Sequence, residues 1–189
     1  EDENQRLAAA APRGSGILMY RGLTWARPML DGRTMVIAGV HERKVVLYPV
    51  RPPRRDGLQL LNWVAEIGER FGADAAVGDW NRPVDREAAA ALFEGWRFDF
   101  ADLPALIRDA EVCLSYPMAD RDPIDAWVDG RVALIGDAAH PMYPIGSNGA
   151  SQAILDARQL ALHLARAPGI GEGLAAYEAS RRPPTAALT

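Results

Sequence analysis

From Gly130 to Ala167 the chain reads GRVALIGDAAHPMYPIGSNGASQAILDARQLALHLARA, and this stretch restricts the fold more than any other. Arg131 to Ile135 is a short apolar run, the pattern of a buried strand. It stops at Gly136-Asp137, where a loop has to begin. Asp137 is therefore expected at the carboxyl end of a strand. From Ala150 onward Ala153, Ile154, Ala157, Leu160, Ala161 and Leu164 recur at helical spacing, with Asp156, Gln159, His163 and Arg166 on the opposite face. Pro168-Gly169 ends that helix. Its start is crowded with Gly146, Ser147, Asn148 and Gly149, residues that cap a helix or let the backbone approach a ligand closely. Strand, polar turn and helix in this order make a cradle for a polar ligand. Free amides at a helix start attract negative charge, and an acid at the adjacent strand end accepts hydrogen bonds from hydroxyls.

Composition narrows the rest. A chain of 189 residues can bury a sizeable single core, and 49% apolar with 24% charged residues is globular rather than disordered. The net charge of -4 and a pI near 5.4 give no basic field, so nucleic-acid binding is discounted. Cys113 stands alone, which rules out an internal disulfide or a cysteine metal cluster; it reads as a small buried apolar residue. A reducing compartment fits, and a cytoplasmic location is the expectation. No apolar run approaches the roughly 18 residues of a membrane-spanning helix, and no signal peptide is evident. His41 and His163 show no metal-ligand spacing, so no metal site is expected, and the G-x-S-x-G elbow of many hydrolases is absent. The opening Glu-Asp-Glu-Asn and the stop soon after Pro183-Pro184 suggest a piece of a longer chain.

Upstream, Ile17 to Ala26, Thr34 to Val40 and Arg43 to Val50 are rich in β-formers and read as an antiparallel set, with His41-Glu42 as a two-residue hairpin turn. Leu58 to Ile67 is a fourth strand, and Phe71 to Asn81 a loop-rich connection. Helices are expected over Val84 to Phe93, with Asp85 as cap, and over Asp102 to Ala110, with Asp102 as cap and Pro104 in the first turn. A strand over Val112 to Met118 leads into Asp120-Arg121-Asp122-Pro123, and a last helix covers Leu174 to Arg182.

Gly136-Asp137-Ala138-Ala139-His140, Pro144, Gly146 and Gly149 stand in the order G-D-A-A-H, proline loop, G-x-x-G, helix. This resembles the second flavin-binding motif of the single-component FAD-dependent aromatic hydroxylases, the p-hydroxybenzoate hydroxylase superfamily. PMYPIGSNGASQAILDAR, with YRGLTWARPML and YPMADRDPIDAW upstream, is similar to the branch holding phenazine-carboxylate and salicylate-type hydroxylases. The likeness runs from about Tyr20 onward. It implies an α+β chain, a fragment of the α/β FAD/NAD(P)-binding superfamily. A mostly antiparallel substrate sheet would be joined to a strand-loop-helix of the FAD-binding domain. Residues 1–16 would be a leader, 17–125 the substrate-binding sheet domain and 126–189 the C-terminal part of the FAD-binding domain.

The resemblance further implies FAD as cofactor, NADH or NADPH as reductant, and hydroxylation of a small aromatic substrate by oxygen through a flavin hydroperoxide. Gly136, Asp137, Pro144, Gly146, Gly149, Ala150 and Ser151 would then bind FAD. Asp137 would accept from the ribityl or pyrophosphate region, and the amides of Ala150 and Ser151 would face the pyrimidine carbonyl edge. Pro144 would line the channel beside the reacting flavin carbon and is the catalytic candidate. Trp25, Tyr48 and Trp63 are candidate substrate-pocket residues, although aromatic residues in strands belong to the core more often than to a pocket. His140 is expected to fix the loop rather than to act as acid or base. Asp120-Arg121-Asp122 reads by itself as a solvated charged turn, and the resemblance adds the alternative that Arg121 holds the loop that follows it. The first dinucleotide fingerprint G-x-G-x-x-G is not found, nor is the motif D-G-x-x-S-x-x-R, so the ADP half of a cofactor site is missing. Two readings stand: part of a hydroxylase, or a truncated noncatalytic binding module on the same scaffold.

Overall fold

Alternation of side chains along strands sets up the first half of the molecule. In the computed structural model, which describes residues 12–68, 82–144 and 146–188, a six-stranded sheet has the order β2-β3-β4-β1-β8-β5. Its strands are β1 (Arg13–Ala26), β2 (Val36–Val40), β3 (Arg43–Pro49), β4 (Gln59–Gly68), β5 (Arg82–Pro83) and β8 (Cys113–Asp120). The expected loop from Phe71 and the expected leader, apart from Pro12 and the start of β1, lie outside the described residues. The chain divides into two compact units, Gly14–Met118 and a second built on Ala119 onward together with Arg13.

In the sheet unit Val40 pairs with Arg43, which makes His41-Glu42 the two-residue turn that the sequence calls for. Val45 pairs with Ala65 and Ala65 with Tyr20, all antiparallel, so these residues share one face. Two short helices cover that face, α1 (Arg86–Ala91) and α2 (Leu103–Arg108). Both are capped as expected: Asp85 accepts from the Glu87 amide at 2.9 Å and Asp102 from the Ala105 amide at 3.0 Å. Between them, β6 (Arg97–Phe98) and β7 (Ala101–Asp102) form a small hairpin. Trp63, Leu47, Phe93, Leu103 and Ile107 make the centre of the core. Each such side chain stabilises the fold by about 1.5–3 kcal/mol through apolar burial. Trp63 is 0% exposed; its Nε1 donates to Thr24 Oγ1 at 3.0 Å, and Thr24 Oγ1 donates to Leu106 O at 2.6 Å.

The second unit departs from the sequence reading in three places. Arg131 to Ile135 is not a buried strand: only β10 (Val132–Ala133) pairs, with β9 (Val128–Asp129), and Val132 is 65% exposed. The two-residue turn at Gly130-Arg131, with Gly130 at φ +56°, folds the run back on its own upstream neighbour. The long helix α3 (Asn148–Arg166) also turns the other way round. Asp156, expected on the outer face, is 0% exposed, while Ile154 is 70% exposed. The cause is charge pairing: Arg181 meets Asp156 in the interior, and a matched buried charge can take the place of an apolar side chain.

The last helix, α4 (Ile170–Ala186), starts earlier than expected and runs through Pro183 and Pro184. The two prolines deprive the carbonyls of Ala179 and Ser180 of their helical donors. Both residues are exposed, so water can replace what the prolines withhold. Helices α3 and α4 are joined by three residues as a helical hairpin, and a small core of Trp127, Ala139 and Tyr177 packs with Leu160 and Leu134. Among the described residues no helix is long and apolar enough to cross a membrane.

Candidate functional site

The motif-bearing turn is held from behind by one carboxylate. Residues Gly136–Ala138 form a single 3-10 turn, with Gly136 at φ +57° and the position of a Cβ on it only 3.2 Å from Ala153 Cβ. Glycine is required there on both counts. The Gly136 amide donates to Asp156 Oδ2 at 2.9 Å, His140 Nε2 lies 2.5 Å from the same oxygen, and Arg181 Nε donates to Oδ1 at 2.7 Å. Arg181 also donates to Gln152 Oε1 at 2.6 Å. Burial pushes the Asp156 carboxyl upward, but hydrogen bonds from His140, the Gly136 amide and Arg181 outweigh it and hold the group below the usual carboxylate range. His140 is 4% exposed and its ring lies 5.3 Å from that of Trp127. It sits where it fixes the loop. Arg121 Nη2 donates to Ala138 O at 2.8 Å and so grips the turn that follows it in sequence.

Sequence reasoning missed Asp156 and Arg181. A signal was present: Asp156 has no basic residue three or four positions away on its own helix, so its counter-charge had to come from elsewhere in the chain.

The outward side of the same turn is open. Asp137 is exposed and bonds to no other described residue, and a Cβ on Gly149 would lie 3.7 Å from its Oδ1. Gly146 has φ +87° and Ser147 φ +55°, and Ser147 gives α3 no side-chain cap. The first amides of a 19-residue helix, those of Asn148, Gly149 and Ala150, thus have no intrahelical acceptor. Ala150 and Ser151 are exposed. Pro144 is exposed too, and its carbonyl accepts from the Ser147 amide at 3.1 Å, which closes the loop into the helix. Next to it Tyr143 is tied to Asp120; burial first, then the Asp120 charge and hydrogen bond, raise its hydroxyl above the ordinary range. A free carboxylate beside uncapped amides and side-chain-free backbone fits a ligand carrying both hydroxyls and anionic or carbonyl oxygens. FAD is such a ligand, and every loop residue expected to bind it lies on this rim or in the turn beneath.

In the sheet unit the register separates the three aromatic candidates. Tyr48 pairs with Asn62, Asn62 with Leu23, and Trp25 lies two residues beyond Leu23, so these share the face turned away from α1 and α2. Trp63 points to the other face, inside the core. The guanidinium of Arg54 stacks over Trp25 at 3.9 Å from the ring centre. A cavity of about 270 Å³ opens beside Asn62, lined also by Arg21, Leu23, Leu114 and Tyr116. The Asn62 Nδ2 atom is buried there without an acceptor among the described residues, and Arg21 lies 5.7 Å over the Tyr116 ring. Asn62 lies in no quoted motif, and Arg21 and Tyr116, though inside the segments that carry the resemblance, have nothing in their spacing that singles them out. Among the described residues no group of three or more His, Cys, Asp or Glu could hold a metal ion.

The chain is similar to several known proteins. The chain is 41% identical over 174 residues to a phenazine 1,6-dicarboxylic acid hydroxylase of Lysobacter antibioticus, covering 91% of this chain and 43% of that one. It is 46% identical over 181 residues to a 3-amino-4-hydroxybenzoate 2-monooxygenase of Streptomyces platensis, covering 94% and 43%. The chain therefore spans less than half the length of these relatives. Among solved structures, Klebsiella pneumoniae HpxO complexed with FAD and uric acid matches with a TM-score of 0.72 at 23% identity, over 97% of this chain and 45% of that one. A salicylate hydroxylase substrate complex matches with a TM-score of 0.68 at 25% identity, over 95% and 46%. The family model described as FAD binding domain matches residues 36–189, and the chain belongs to that family.

Proposed function

We propose that this chain is part of an FAD-dependent monooxygenase that hydroxylates a small aromatic or heteroaromatic substrate with molecular oxygen, using NADH or NADPH as reductant, in the cytoplasm. The observation that carries the reading is the free Asp137 carboxylate beside the uncapped start of α3, in a chain of the FAD binding domain family. Bound FAD would supply the redox chemistry that activates oxygen. The protein's part is to bind, orient and shield. Asp137 accepts from a hydroxyl of the cofactor, and the amides of Ala150 and Ser151 donate to its carbonyl edge. Their position at a helix start favours negative charge there. Gly136, Gly146 and Gly149 keep the backbone within reach. Pro144 lines the reacting side with a rigid backbone. On the sheet unit, Leu23, Tyr48 and Trp25 offer apolar contact to an aromatic ring, and the Asn62 amide offers a hydrogen bond to a substrate oxygen.

The test is a titration of FAD into wild-type protein and Asp137→Ala, read by fluorescence quenching, with both apoproteins melted in parallel. A charge-assisted hydrogen bond is worth about 1.5–3 kcal/mol, so the variant should bind FAD about ten- to a hundred-fold more weakly at an unchanged melting point. Equal affinity with a lowered melting point would make Asp137 a turn residue and remove it from the site. Tight FAD binding without NAD(P)H-driven oxygen consumption in the presence of aromatic acids would favour the noncatalytic module.

A further inference from the structure

A cavity of about 10 Å³ lies in the second unit, lined by Arg121, Asp122, Trp127, His140 and Thr185 among others. That is room for a single water molecule. Two buried polar atoms of its lining residues, Arg121 Nε and His140 Nδ1, meet no hydrogen-bond partner among the described residues. Buried polar groups are almost always satisfied, so two of them at one small cavity call for a common partner.

The chemistry of the neighbours fixes what that partner must do. The Asp156 carboxylate can only accept, so His140 Nε2, 2.5 Å from its Oδ2, carries a proton. In the neutral ring that proton is the only one, and His140 Nδ1 is then a lone pair that needs a donor. Arg121 Nε–H is a donor that needs an acceptor. A molecule that accepts from one and donates to the other satisfies both, and only water is small enough. We infer that this cavity is a binding site for one ordered water, which accepts from Arg121 Nε–H, donates to His140 Nδ1 and locks His140 in the tautomer protonated on Nε2. Arg121 then holds the Gly136–His140 segment twice, directly through Ala138 O and through the water at His140. The second water hydrogen has Asp122 as the acidic residue of the same lining; Arg182 is the remaining charged group there, and Arg181 acts on the ring only through Asp156.

The inference does not depend on the cofactor and is tested on unliganded protein. Histidine-labelled protein near neutral pH should show the two separated ring-nitrogen resonances of an Nε2-protonated imidazole. A crystal structure at atomic resolution should show one oxygen within hydrogen-bond distance of both Arg121 Nε and His140 Nδ1. Arg121→Met removes the donor but keeps the stem; its His140 Nδ1 resonance should move while Nε2 stays. Averaged ring resonances of a doubly protonated histidine, a dry cavity in the crystal, or an Nδ1 resonance indifferent to Arg121→Met would each overturn it. The first two readouts use wild-type protein, so a poorly folding variant leaves the inference exposed to refutation.

Discussion

Replacing Asp156 by Asn is the sharpest perturbation available in the second unit. The side chain keeps its volume and one acceptor oxygen but loses its charge. It then faces three donors: Arg181 Nε at 2.7 Å, the Gly136 amide at 2.9 Å and His140 Nε2 at 2.5 Å. One oxygen cannot serve Arg181 on one side and His140 with Gly136 on the other, so the Asn amide NH₂ must point at a donor. Arg181, 9% exposed in its side chain, becomes a buried cation with only Gln152 beside it. Breaking a buried ion pair by removing one partner costs about 3–5 kcal/mol. At about 2–4 °C per kcal/mol for a chain of this size, the melting transition should fall by about 6–20 °C. Thermal melts followed by circular dichroism measure this, and adding Arg181→Met to Asp156→Asn should restore part of the loss, because the stranded cation goes with it. The sign with pH is also fixed. The folded-state Asp156 value is lowered, so its contribution is complete above the unfolded value near pH 4 and fades as pH drops further. Wild type and Asp156→Asn should therefore converge only in acid. A loss below about 1 kcal/mol, the scale of an exposed pair, would show that Asp156 does not organise the turn.

Three further outcomes are expected. Burial pushes the Cys113 thiol up to about 11, so at neutral pH it should resist alkylation in the folded protein and react once denatured, which a mass-shift assay reads directly. Thr24→Val removes the acceptor of the buried Trp63 indole N–H and should destabilise the sheet unit by about 1–3 kcal/mol in a urea titration; a smaller change would mean the indole finds another partner. Asn62→Leu should leave FAD affinity unchanged and raise the KM for an aromatic substrate about ten-fold in the catalytically complete protein, and an unchanged KM would take Asn62 out of the substrate site.

Where local chemistry dictates structure, the sequence was sufficient. The caps Asp85 and Asp102, the His41-Glu42 turn and the α3 start at the Gly-rich segment follow from rules spanning a few residues, and each stands where those rules put it. The outer half of the candidate site, from Asp137 to Ser151, was legible for the same reason: it is one continuous segment. The inner half was not. Asp156 and Arg181 are 25 positions apart, and periodicity assigned Asp156 to solvent because a hydropathy pattern cannot see a counter-ion supplied by another helix. The pocket beside Asn62 escaped for a related cause, since strands β1, β4 and β8 bring Leu23, Asn62 and Tyr116 together only through pairing. Trp63 shows where alternation stops short: being aromatic on a strand it could line a pocket or the core, and only the register puts it in the core.

The Gly136 amide has a consequence of its own for how the loop can move. Its acceptor is neither in the turn nor in a strand but on α3, and the same carboxylate is clasped by α4. The turn cannot lift away by itself without stranding that amide and one oxygen of the clasp, so small fraying of the loop and large separation of the two helices are not independent events. Hydrogen exchange at Gly136 should then be slow and share the opening free energy of amides in the middle of α3, while the rim amides of Asn148 and Gly149 exchange freely. Motion at this rim is confined to the few residues in front of the turn, and the acid beneath them sets the depth at which yielding stops.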